Sequence, residues 1–229
     1  MPSIALKRSP ELQHHVLQGS AWLAESAGGA NTTALSYAAF EFRLAIERIG
    51  LQYWIELMPQ EMEEKDLRDI GSFKRIENRI YDLGGHQKEI DAHFEFNRVV
   101  LNLLKVKEQL PTPKLGQLSR YWHECSELCH IAWSLVSQDA QLVVDLHAAL
   151  TTIETFLTEQ VSGLVTWPKI ADADFDVLRE KFIAGQASAK DVQSYLEERG
   201  LWGRIEYNDG RPNEFVGEAI PPASIKTTP

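Results

Sequence analysis

The chain is short of cysteine, of long apolar runs and of positive charge. Its two cysteines, Cys125 and Cys129, stand one helical turn apart in 229 residues. They are too few and too close for a disulfide scaffold, so a reducing, cytoplasmic setting is expected. No apolar stretch is long enough to span a bilayer, and the opening MPSIALKRSP has no apolar signal core, so no membrane is expected as a partner. Acidic residues number 33 against 23 basic, for a net charge of −10. That balance disfavours a broad phosphate-binding surface, because nonspecific nucleic-acid affinity comes largely from Lys and Arg. A local basic patch remains compatible with it. Glycine-rich phosphate loops, a GxSxG elbow and HExxH are also missing, and no cofactor is expected.

What the chain does have is helical periodicity. The dominant stretch is 31–58, NTTALSYAAFEFRLAIERIGLQYWIELM. At 100° steps, Leu35, Ala39, Phe42, Ile46, Ile49, Tyr53 and Leu57 fall on one stripe. Tyr37, Phe40, Leu44, Leu51 and Ile55 fall on a second, nearly opposite. An ordinary surface helix has one apolar stripe, so two stripes predict a helix with partners on both sides, central in a bundle. Two polar strips run between them. One carries Glu41, Arg48, Gln52 and Glu56, the other Ser36, Arg43 and Glu47. Glu41 and Arg48 share a face and are expected to hold a structural polar network, since buried charge is costly unless paired.

Other segments read as helices around this rod. Residues 10–27 start with Ser9 as cap and Pro10 in the first turn, and end at Gly28-Gly29. Asn31 caps the central helix. A short helix follows Pro59; then come 72–83, 86–107, 115–137 and 139–164, with Pro111-Thr112-Pro113 as a connector no helix crosses. After Trp167-Pro168 the composition changes. Helices are expected near 175–184 and 188–199, the second opened by a capping box of Ser188 and Asp191. WGRIEY, then Asn208-Asp209-Gly210, then RPNEFVG suggest a small hairpin. The expected fold is all-α: a helical bundle of five to six helices over 1–167, a small helix and β-hairpin appendage over 168–218, and a disordered tail over 219–229.

The clearest basic patch is SFKRIENRIYDL at 72–83, where Lys74, Arg75 and Arg79 share a face opposite Phe73, Ile76 and Ile80. These three are the candidate RNA contacts. On 115–137, His123, Glu127 and His130 share another face. Glu127-x-x-His130 has the spacing that di-iron bundles use, and Glu89 with His93 offers a partner pair. A metal-binding bundle is therefore a third functional class, but the second Glu-x-x-His that such sites need is missing and no metal is assigned. Cys125, Cys129 and His130 lack zinc spacing and read as core residues with a neighbouring histidine.

The helix YAAFEFRLAIERI, followed later by LSRYWHECSELCH, resembles bacterial HEPN-type helical proteins over roughly 31–135. That resemblance implies a dimerising bundle. It also implies a function among ribonuclease toxins, defence effectors, and noncatalytic RNA-binding or partner modules. The family's signature is an Arg followed a few residues later by a His. Arg79 and His86 have that spacing but enclose Gly84-Gly85, whereas Arg120 and His130 are ten apart. If the chain cleaves RNA, a His acts as general base on the 2′-hydroxyl and an Arg stabilises the phosphorane. The candidates are His130 with His123, and Arg79 or Arg120. The expected partners are RNA, a protein partner and a second copy of the chain. The alternative function is a noncatalytic protein–protein interaction module, such as a partner or antitoxin-like subunit.

Overall fold

The computed structural model describes residues 10–58, 64, 66–103, 112, 114–129, 140–162, 173–199, 202–205 and 214–217. Its class is all-α, with nine helices among the described residues. Seven of them lie in the 1–167 span expected to hold five to six, with a one-turn helix at Leu67–Ile70 among them, and two follow beyond residue 172. The chain divides into two compact units, residues 1–83 with 113–165 and residues 84–112 with 166–229.

The first unit begins with α1 (Pro10–Glu25). A tight turn over Ala27–Gly29 reverses the chain, with φ of 49° at Ala27, 71° at Gly28 and 98° at Gly29. A Cβ on Gly29 would fall 2.5 Å from Val143 Cγ1, so this position needs glycine for space as well as for its backbone. α2 (Thr32–Leu57) then opens on Asn31, whose side chain accepts from Ala34 N–H at 3.1 Å. The cap satisfies one of the orphan donors of the first turn. α1 and α2 pack along most of their lengths, closely enough that a Cβ on Gly19 would sit 2.3 Å from the Phe42 ring.

The first apolar stripe of α2 is the core of this unit: Leu35, Ala39, Phe42 and Ile46 are wholly buried, with Ile49 and Tyr53 nearly so. Burying each of the large aliphatic and Phe side chains among these contributes on the order of 2 kcal/mol. α3 (Leu67–Ile70) precedes α4 (Phe73–Gly84). On α4, Phe73, Ile76 and Ile80 are buried, and Phe73 and Ile76 lie against the Gly50 position of α2. The unit is completed by α6 (Leu115–Leu128), which packs on α2, and α7 (Ala140–Ser162), which packs on α1 and α2. Tyr53 Oη donates to Gln160 Oε1 at 2.6 Å across the α2–α7 contact, and burial pushes its pKa up.

The second apolar stripe of α2 departs from the two-sided packing expected of it. Leu51 is buried, but Tyr37 and Phe40 are 51% and 47% exposed. Periodicity tells which faces of a helix are apolar; it does not tell whether the same chain covers them.

In the second unit, α5 (Gln87–Leu103) packs with α8 (Ala173–Ile183) and α9 (Ala189–Arg199). Phe96 is the centre, 5.1 Å from the Phe175 ring and 5.5 Å from that of Phe182. Phe175 reaches Tyr195 on α9 in turn. These aromatic contacts are why α5 clusters with the C-terminal helices, although it lies inside the 1–167 span read as one bundle. The capping box at α9 is formed: Ser188 Oγ and N both donate to Asp191 Oδ2, at 2.6 and 2.7 Å. Trp202–Ile205 and Glu214–Gly217 pair as antiparallel strands, Trp202 opposite Gly217 and Ile205 opposite Glu214. Asn208-Asp209-Gly210, the 219–229 tail and the Pro111–Pro113 dipeptide flanks lie outside the described residues. No helix among those described is long and apolar enough to cross a membrane.

Candidate functional site

The residues expected to bind or cut RNA are engaged in local charge pairs. Arg79 Nε donates to Asp69 Oδ2 at 2.8 Å, and another of its nitrogens lies 3.9 Å from Asp66 Oδ1. Arg75 sits 3.9 Å from Asp69 Oδ1 and donates to the Arg68 carbonyl at 3.1 Å. Lys74 donates to Glu77 at 2.8 Å. Hydrogen bonding to those carboxylates, then their charge, holds the Lys74 and Arg79 pKa values up. Three acids from α3, its flank and α4 thus face the three bases, and the patch carries little net positive charge. Periodicity placed the bases on one face of α4. It carried no sign that Asp66 and Asp69 fold against them.

Arg120 lies 3.6 Å from Glu124 Oε1 and over the Tyr121 ring. His123 is exposed, its ring edge-on to Trp122. His130 lies outside the described residues, and with it the Glu127-x-x-His130 pair. Arg79 belongs to the first unit and His86 to the second, where the His86 carbonyl accepts the first amide hydrogens of α5. Among the described residues no group of three or more His, Cys, Asp or Glu side chains is arranged to hold a metal ion.

The polar strips of α2 find partners on neighbouring helices. Glu41 Oε2 accepts from His15 Nδ1 at 2.7 Å, joining α1 to α2, with both side chains about four-fifths buried. Glu41 of the expected Glu41–Arg48 network thus pairs with His15 across the two helices. On the other strip, Glu47 Oε1 accepts from Trp122 Nε1 at 2.8 Å and from Arg43 Nε at 3.1 Å. Arg43 also lies over the Trp122 ring at 4.8 Å, and Phe73 stacks on that ring with centroids 5.5 Å apart. This brace ties α2, α4 and α6 together. Cys125 and Cys129 lie beside it as free thiols. Burial raises both thiol pKa values, opposed weakly by Arg43. A thiol so held is a poor nucleophile.

The surface that stands out is the α1–α2 seam. Trp22 and Tyr37 rings meet at 5.1 Å and both are exposed. Phe40 and Leu44 continue the strip along α2, with Glu41 and His15 at its edge. Monomeric soluble proteins seldom leave clustered aromatics in water without a use for them. The sequence held a signal for this surface in the second stripe of α2. Trp22 and His15 joined it only through the α1–α2 hairpin.

No model of a known protein family matches the chain, nor does any curated protein or solved structure.

Proposed function

We propose that the chain is a noncatalytic helical protein–protein interaction module, and that its contact surface is the strip of Trp22, Tyr37 and Phe40. The observation that carries this reading is their joint exposure in a unit whose other large apolar side chains are mostly buried. Aromatic side chains bring much contact area at small entropy cost, and interfaces are enriched in them. The first partner is a second copy of the chain. An isologous contact lays the strip of one copy on that of the other, so the same few side chains are counted twice in the interface. The scarcity of cysteine supports a cytoplasmic setting.

The rival reading, a HEPN-like ribonuclease or RNA-binding member of a toxin–antitoxin or defence system, is carried by the sequence resemblance. It asks Arg79 to meet a phosphate with its charge already largely offset by Asp69 and Asp66. The interaction reading makes no such demand. Light scattering of the wild type beside Tyr37→Ser/Phe40→Ser tests the proposal. A dimer that becomes a monomer in the variant is expected. A wild type that is monomeric up to high micromolar concentration rejects the second copy as partner.

A further inference from the structure

The His15–Glu41 contact lies on the same face as the aromatic strip. His15 stands seven residues before Trp22 on α1, two turns along one side, and Glu41 is one turn on from Tyr37 on α2. His15 Nδ1 and Glu41 Oε2 are 2.7 Å apart, and each side chain keeps a margin of contact with water, at 17% and 20% exposure. Two ligand atoms so placed are half of a metal site. Zinc ligands about 2.0 Å from the ion stand roughly 3.3 Å from one another in a tetrahedron, so the contact opens by about 0.6 Å to seat the ion. The ring proton then sits on Nε2, and Nδ1 turns its lone pair to the metal.

One copy does not complete the site. Among the described residues no third His, Cys, Asp or Glu is arranged with these two to hold an ion. The contact proposed for the strip supplies the rest. In an isologous dimer the residues at the two-fold axis meet their own counterparts. The strip on α2 runs from Tyr37 to Leu44, and its middle is Phe40 and Glu41. The axis therefore brings Glu41 of one copy, with its His15, to the same pair of the other. Two carboxylates facing each other across the axis repel, and a cation between them turns that repulsion into attraction. Two imidazole nitrogens and two carboxylate oxygens make a four-coordinate set that suits zinc, whereas magnesium and calcium take six or more oxygens.

We infer that His15 and Glu41 of two copies together form a zinc site on the two-fold axis of the strip-to-strip dimer, one ion to each pair of chains. The inference rests on the strip as the contact between copies and adds the ion that closes it.

The test is sedimentation velocity of the full chain over a series of concentrations, in EDTA, in zinc sulfate and in magnesium chloride, with bound zinc counted by elemental analysis after gel filtration. Zinc is expected to lower the dimer Kd about tenfold or more relative to EDTA. Magnesium is expected to leave it unchanged, and the purified dimer to retain one zinc for each two chains. His15→Gln and Glu41→Gln preserve a hydrogen bond between α1 and α2 but break the ligand pair. Each is expected to keep its helical circular-dichroism spectrum and lose the response to zinc. His123→Ala, which removes an exposed histidine on α6, is expected to retain it. A Kd equal in zinc and EDTA overturns the zinc site and leaves the strip reading standing, whereas a monomer in both rejects the two together. The site is also overturned by zinc bound at one ion or more per chain, by a response that survives both Gln substitutions or is lost in His123→Ala, and by a response that magnesium matches.

Discussion

The imidazole of His15 and the carboxylate of Glu41 meet at 2.7 Å between α1 and α2. Each is about four-fifths buried, so the pair works in a medium less polar than water. The contact fixes the rotational setting of α1 on α2, which places Trp22 against Tyr37. His15→Ala and Glu41→Ala are each expected to cost about 1 kcal/mol, with a coupling in the double variant of roughly 0.5–1.5 kcal/mol. Urea unfolding of the four proteins measures it. Strictly additive losses would mean that the pair contributes nothing of its own.

Two glycines are fixed by space. At Gly19 a Cβ would lie 2.3 Å from Phe42, and at Gly29, with φ of 98°, 2.5 Å from Val143. Gly19→Ala and Gly29→Ala are expected to destabilise the first unit by about 1–3 kcal/mol, through overpacking at both and backbone strain at the second. Gly116→Ala, which meets nothing within 4 Å, is the control and is expected to be neutral or slightly stabilising on a helix. Thermal melting of the three variants distinguishes them.

The pH dependence follows from His93. Its folded-state pKa is about 4 against 6.5 for the unreacted group. The unfolded chain therefore takes up the proton first as pH falls. The stabilisation is fully present above pH 6.5 and is lost progressively from there down through about 4. At about 1.4 kcal/mol per pKa unit the loss approaches roughly 3 kcal/mol. His93→Phe removes this contribution, so the difference in unfolding free energy between wild type and variant should change over that window. A difference independent of pH would show that His93 keeps an ordinary pKa.

Arg79→Ala separates the two functional readings. With Arg79 bound to Asp69 and facing Asp66, its loss is expected to change no RNA-cleaving activity. Incubation of wild type and variant with mixed cellular RNA checks this. Cleavage by wild type that Arg79→Ala abolishes would restore the ribonuclease reading.

Much of the helix pattern was legible in the sequence because caps and breakers are local. Asn31, Gly28-Gly29 and the Ser188–Asp191 box act within a few residues of where they stand, and each marks a helix end in the structure. Pairing between helices was not legible in the same way. Amphipathic spacing put Lys74, Arg75 and Arg79 on one face but could not bring Asp69 to them from another element. It gave α5 an apolar face but not the choice of Phe175 and Phe182 as its partners. It found two apolar stripes on α2 and assigned both to the interior, because period alone does not distinguish a buried face from an exposed contact surface. Glu41 was singled out by its polar strip, but its pairing with His15 depends on how α1 lies on α2.

The account rests on the exposed strip of Trp22, Tyr37 and Phe40, and sedimentation equilibrium of wild type and Tyr37→Ser/Phe40→Ser tests it most directly. The prediction is a reversible wild-type dimer and a variant that sediments as a folded monomer with an unchanged helical circular-dichroism spectrum. The same mass for both proteins would contradict the strip as the contact surface between copies.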